Sequence, residues 1–144
     1  YDPNMSAIGS AYIAAWNDYA RGTLKFPGEN GFKIFAGVGG KWDMAHAQPG
    51  RRASPGETPN VMPDLAVAMK QNPNLKVLNM GGYYDLATPY FEGQFELDHL
   101  PIPDSLRGNI EHRHFASGHM VYLNEQILGQ LHDEVAGFVR RTSR

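Results

Sequence analysis

The chain contains no cysteine. Disulfide frameworks, thiolate nucleophiles and cysteine-based zinc sites are therefore excluded, although the compartment stays open, because exported proteins also exist without disulfides. Nor is there any apolar run approaching the ~18–20 residues of a membrane-spanning helix. Excess charge of one sign is missing too: 13 Lys and Arg stand against 15 Asp and Glu, a formal net charge of -2. Apart from Arg51-Arg52 and Arg140-Arg141 the cations are scattered, so no basic face suits a phosphate backbone and nucleic acid is not expected as a partner. Repeats and low-complexity segments are lacking as well. What remains is a chain of 144 residues with 42% hydrophobic and 19% charged content, the composition of a globular protein with a real core. It opens on Tyr1 without a signal-like segment, and is expected to be processed or part of something longer.

Residues 5–22 (MSAIGSAYIAAWNDYARG) repeat Ile8, Tyr12, Ala15, Trp16 and Tyr19 at three- and four-residue steps. That spacing predicts an amphipathic helix closing near Gly22. The following 25–59 is rich in glycine and proline and reads as a surface excursion, with FKIFA (32–36) as its one short strand. Asn60 can cap a helix over 61–72, with Pro63 in the first turn. LKVLNM (75–80) has the length and character of a buried parallel strand, after which Gly81-Gly82 let the chain turn. Thr88 as N-cap and Pro89 as first residue would start a helix that buries Phe91, Phe95 and 97–100. PIPDSLRG (101–108) holds a turn or short helix, IEHRHFA (110–116) is a second strand, and Asn124 caps a long helix to about Arg141. The order helix, strand, helix, strand, helix predicts an α/β fold at the edge of a parallel sheet. Two strands alone do not complete such a sheet, so the fold is expected to be incomplete on its own.

Asp85 and His119 follow the two predicted strands directly. Open α/β sheets place catalytic groups at that carboxyl edge, and successive parallel strands are usually neighbours. A carboxylate that accepts from a histidine's Nδ1–H fixes its tautomer and stabilises the imidazolium formed in proton transfer. Acid then histidine is also the order in which the α/β-hydrolase triad follows its serine. An aspartate ahead of Leu-Ala-Thr-Pro serves equally as a turn cap, and a histidine after glycine is common, so the residues alone leave both readings open.

The stretch GGYYDLATPYF followed by GHMVYLNE resembles the C-terminal part of the serine carboxypeptidase-like family, peptidase family S10, in its bacterial branch. The resemblance extends over YDPNMSAIGSAYIAAWNDY and VMPDLAVAMKQNPNLKVL and leaves out mainly 41–58. It implies the C-terminal part of an α/β-hydrolase fold: residues 1–144 would be a segment of one such domain, acting in proteolysis on the C-terminal bonds of peptides through an acyl-enzyme. Asp85 would then be the triad acid, His119 the general base, and Met120 a residue lining the pocket for the released amino acid. No G-x-S-x-G elbow occurs; Ser10 falls in a predicted helix and Ser117 is only two residues from His119. The nucleophile is therefore expected in the missing N-terminal part of the same protein, and this chain alone should be inactive. The family also implies export, to periplasm or medium.

Other patterns carry less. His112 and His114 form an H-x-H on one strand face, a geometry metals use, but no third ligand is defined, and no metal or cofactor is expected. FAGVGGKW (35–42) fails the phosphate-loop frame, with Phe35 where the first glycine belongs and Trp42 after the lysine. Glu92, Glu96 and Asp98 read as a solvated face, Arg51-Arg52 as loop charges, and Tyr12, Trp16 and Tyr19 as packing. The alternative function is a non-catalytic α/β interaction module whose strand-end loops bind a partner.

Overall fold

The computed structural model describes residues 3–26, 28, 36–37, 39–53 and 58–143. The chain divides into two compact units, Tyr1–Asp43 and Met44–Arg144.

In the first unit, helix α1 spans Pro3–Asp18 and runs on without a break into a wider helical turn over Tyr19–Thr23. There Leu24 N–H bonds the Tyr19 carbonyl at 3.0 Å and Phe26 N–H the Ala20 carbonyl at 2.9 Å. Lys25, at φ 53°, enters the left-handed region there, so the closure falls just beyond Gly22. Ile8, Tyr12, Trp16 and Tyr19 lie along one side of the helix as the spacing predicts, yet all four side chains are exposed. The strand predicted at 32–36 lies outside the described residues apart from Ala36.

The second unit carries the sheet. Helix α2 covers Met62–Gln71 with Val61, not the expected Asn60, at its N-cap and no side-chain cap there. The Asn60 carboxamide oxygen, one residue earlier, accepts from the first helical N–H, Met62, at 3.0 Å. Leu75 N–H then bonds the Asn72 carbonyl at 3.0 Å, so Leu75 belongs to the turn and strand β1 begins later, at Val77–Gly82. Helix α3 is Tyr90–Asp98, α4 is Asp104–Arg107, β2 is Ile110–Phe115 and α5 is Glu125–Thr142. β1 and β2 pair in parallel, from Val77 opposite Ile110 to Gly82 opposite Phe115. The glycines expected to turn the chain are thus the last two residues of the ladder. The turn follows them.

Helices cover both faces of this small sheet, as parallel strands require. α3 lies on the face of Asn79, Gly81, His112 and His114: the rings of Tyr90 and His114 are 4.8 Å apart. α5 lies on the other face, where Arg113 Nε reaches Glu134 at 2.8 Å and Arg141 reaches Glu111 at 2.8 Å. On α3 the inward positions are Tyr90, Gly93 and Leu97, one helical face at steps of three and four. Phe91 and Phe95 fall off that face and are exposed, correcting the expectation that they are buried; Phe95 instead stacks on His99 with centroids 4.0 Å apart.

The core gathers Ala66, Met69, Leu100, Ile102 and Leu106, with Leu75, Val77, Leu97 and Ile110 against it. Val77 and Ile110 are the first residues of their strands, so this core sits at the amino end of the sheet. Asn109 reinforces that end, donating to the Pro73 carbonyl at 2.8 Å and accepting from Lys76 Nζ. No helix among the described residues is long and apolar enough to cross a membrane.

Candidate active site

At the carboxyl end of the sheet, the backbone knots the two loops together before any side chain acts. Tyr83 N–H donates to the Phe115 carbonyl at 2.9 Å and Tyr84 N–H to the Ser117 carbonyl at 3.0 Å. Asp85 N–H turns back to the Gly82 carbonyl at 3.2 Å. A Cβ at Gly82 would collide with the carbonyl oxygens of Ser117 and Gly118, so only glycine admits this approach of two backbones. Beyond β2, Ser117 is buried, and Asn124 Nδ2 ties the Ala116 carbonyl at 3.2 Å while its own oxygen caps α5.

This frame brings Asp85 and His119 together. His119 Nδ1 donates to Asp85 Oδ2 at 2.9 Å. The other carboxylate oxygen, Oδ1, accepts from the backbone N–H groups of Ala87 at 2.8 Å and Thr88 at 2.9 Å. The Thr88 hydroxyl donates to Oδ2 at 2.7 Å and lies 3.3 Å from His119 Nδ1. The Asp85 side chain is 6% exposed and that of His119 60%.

The electrostatics follow from those donors. The Thr88 N–H and then its hydroxyl hold the Asp85 carboxyl far below the usual carboxylate range, outweighing the opposing effect of burial. Asp85 is therefore an anion that only accepts, and the network assigns the shared proton to His119 Nδ1. His119 Nε2 keeps its lone pair and has no protein partner among the described residues. An outward-facing imidazole nitrogen backed by a buried carboxylate is the equipment of a general base. Beside the pair lies a depression of about 340 Å³, whose lining includes Asn79, Gly81, Thr88, Tyr90, Glu92 and Val121.

Met120, the third residue implied by the family resemblance, follows His119 directly and is partly buried. Its carbonyl accepts from Leu123 N–H at 3.0 Å, and its side chain is not among those lining the depression. Ser117 Oγ donates to the Val121 carbonyl at 3.4 Å, so it faces the turn that follows His119. The H-x-H pair divides. His112 Nδ1 meets Asn79 Nδ2 at 3.1 Å and its Nε2 meets Asp98 at 3.4 Å, whereas His114 packs against both the Tyr83 and Tyr90 rings with its Nε2 buried and unpartnered. Burial, then the proximity of His112, pushes the His114 pKa down from its ordinary value. Among the described residues no three His, Asp or Glu side chains converge as metal ligands would. A second depression, about 370 Å³, is lined by His46, Gln48, Arg51, Arg52 and Asn60 among others, and His46 Nε2 pairs there with Asp64 at 2.8 Å.

Thr88 is the site residue that sequence reasoning assigned elsewhere. It was expected to cap α3, but that helix begins at Tyr90 with Pro89 before it and no side-chain cap, because the threonine hydroxyl is committed to Asp85. The Asp-x-x-Thr spacing was the available signal. Comparison of the chain with protein-family models, with curated proteins and with solved structures yields no match.

Proposed function

We propose that this chain is the C-terminal portion of an α/β-hydrolase serine carboxypeptidase, contributing the acid and the base of a Ser-Asp-His triad. The observation that carries the reading is the 2.9 Å bond from His119 Nδ1 to a buried, anionic Asp85 at the carboxyl edge of a parallel sheet, with Nε2 left open. The resemblance of GGYYDLATPYF and GHMVYLNE to family S10 supports the same assignment.

In this reading His119 Nε2 takes the proton of a serine hydroxyl as the serine oxygen attacks the scissile carbonyl. Asp85, already ionised and held by its donors, stabilises the imidazolium without taking its proton. The imidazolium then protonates the departing amine, leaving an acyl-enzyme. Water attacks the ester with the same nitrogen as base, which regenerates the serine. The nucleophile and oxyanion-hole amides come from a segment that carries the G-x-S-x-G elbow absent here. A role for Met120 in the pocket for the released residue rests on the resemblance alone, since its side chain does not line the depression beside the pair.

A serine-directed fluorophosphonate probe tests this. Applied to the protein in its source material, it should label a longer or co-purifying polypeptide and leave the 144-residue chain unlabelled. Label on a serine within these 144 residues overturns the assignment of an external nucleophile. Failure to label any polypeptide that contains or accompanies the chain favours the non-catalytic interaction module instead.

A further inference from the structure

The Asp85 carboxylate has its acceptor directions filled. Oδ1 takes the N–H groups of Ala87 and Thr88, and Oδ2 takes the Thr88 hydroxyl and His119 Nδ1. Residue 88 thus supplies two of the four donors. His119 itself is mostly exposed, and the groups its ring nitrogens meet are Asp85 and Thr88 alone among the described residues. An exposed imidazole held by one bond would turn about that bond. Here a second oxygen lies 3.3 Å from the same nitrogen, beside the 2.9 Å contact to the carboxylate.

We propose that Thr88 is a positioning residue for the Asp85–His119 pair, whose hydroxyl both orients the carboxylate and selects the histidine tautomer with the proton on Nδ1. The selection has a simple cause. A hydroxyl has one hydrogen, and the 2.7 Å contact directs it to the anionic Oδ2. The oxygen lone pairs then face His119 Nδ1, 3.3 Å away. With the proton on Nδ1, that arrangement is attractive from both oxygens. With the proton on Nε2, the Nδ1 lone pair would confront a carboxylate oxygen and a hydroxyl oxygen together, and the hydroxyl could turn its hydrogen to Nδ1 only by withdrawing it from the anionic Oδ2. The catalytic meaning rests on the hydrolase reading above; the tautomer selection does not.

Nitrogen-15 and carbon-13 NMR of the complete protein, labelled at histidine and aspartate, tests it without substrate. Thr88→Val keeps the size and the backbone N–H but removes the hydroxyl, and Thr88→Ser restores it. With the ring neutral, the wild type and Thr88→Ser should show His119 predominantly protonated at Nδ1. Thr88→Val should raise the Nε2-protonated fraction several-fold and move the Asp85 carboxyl titration upward, with the strand amides unchanged. Should Thr88→Val disturb those amides, Thr88→Ala carries the same comparison. Unchanged ring-nitrogen shifts on losing the hydroxyl, or a serine variant that behaves like valine, overturn the proposal. A complete protein whose Asp85→Asn variant still hydrolyses peptides at the normal rate would sink the peptidase reading while leaving these nitrogen shifts to stand or fall by themselves.

Discussion

Gly82 and Ser117 approach so closely that the α-carbon of one leaves no room for a methyl group against the carbonyl of the other. Asp85 and His119 both depend on that contact, since each lies a few residues beyond it on its own loop. Gly82→Ala should therefore force the loops apart. We expect a loss of about 1–3 kcal/mol in urea unfolding, the usual scale for overpacking with backbone shift, and loss of the Nδ1-protonated signature of His119. Wild-type stability together with an unaltered histidine spectrum would contradict the geometry.

Met69 is fully buried in the core at the amino end of the sheet. Met69→Ala should cost about 2–5 kcal/mol, the range for truncating a buried methionine, yet leave the His119 ring nitrogens as in the wild type below the unfolding transition. Stability and site lie at opposite ends of the strands, so the two readouts should separate. A tautomer change in this variant would show that they do not.

Stability should fall with acid in two stages. His114 has its pKa lowered from 6.5 by burial and by His112. The unfolded chain thus takes up a proton near pH 6.5 that the folded chain refuses, and stability present above that pH declines as pH drops below it. Asp85 is likewise depressed, from 3.8, so its contribution is full above the ordinary carboxylate range and fades below about pH 4. In urea midpoints measured from pH 7.5 to 3, His114→Phe should flatten the first decline and leave the second. An unchanged slope between pH 7 and 5.5 in that variant would clear His114 of the effect.

If the proposed hydrolase function holds, Asp85→Asn in the protein that carries the nucleophile should reduce turnover by roughly 10⁴-fold with little change in fold, because an amide in that place favours the wrong histidine tautomer. Peptidase kinetics with a circular-dichroism control measure this. Near-normal turnover would remove Asp85 from the triad.

Local chemistry made much of this legible. Asn60 and Asn124 are capping residues by type, and each accepts from a helix N–H two residues on. LKVLNM and IEHRHFA have strand character, and both yield strands, β1 displaced by two residues because Leu75 closes the preceding turn. The misread positions are those where two segments compete for one group. Thr88 has the chemistry of an N-cap, and a carboxylate three residues earlier claims its hydroxyl. Phe91 and Phe95 are apolar at plausible spacing, but α3 meets the sheet through Tyr90, Gly93 and Leu97, so the phenylalanines point away. Gly81-Gly82 look like a turn, and the partner strand extends the ladder through them.

By itself the sequence determined the order of helices and strands, the placement of an aspartate and a histidine just past two strand ends, and the absence of cysteine chemistry and of an elbow serine. Those are properties of neighbouring residues and of composition. Only the tertiary structure decided that Gly82 must be glycine, that the Asp85 carboxylate is ionised and fully occupied, and that Thr88 serves the histidine instead of the helix. The glycine requirement and the histidine bond depend on residues some thirty positions apart that the parallel ladder brings together, while the claim of Asp85 on Thr88 is a local competition for one hydroxyl that only the folded turn resolves.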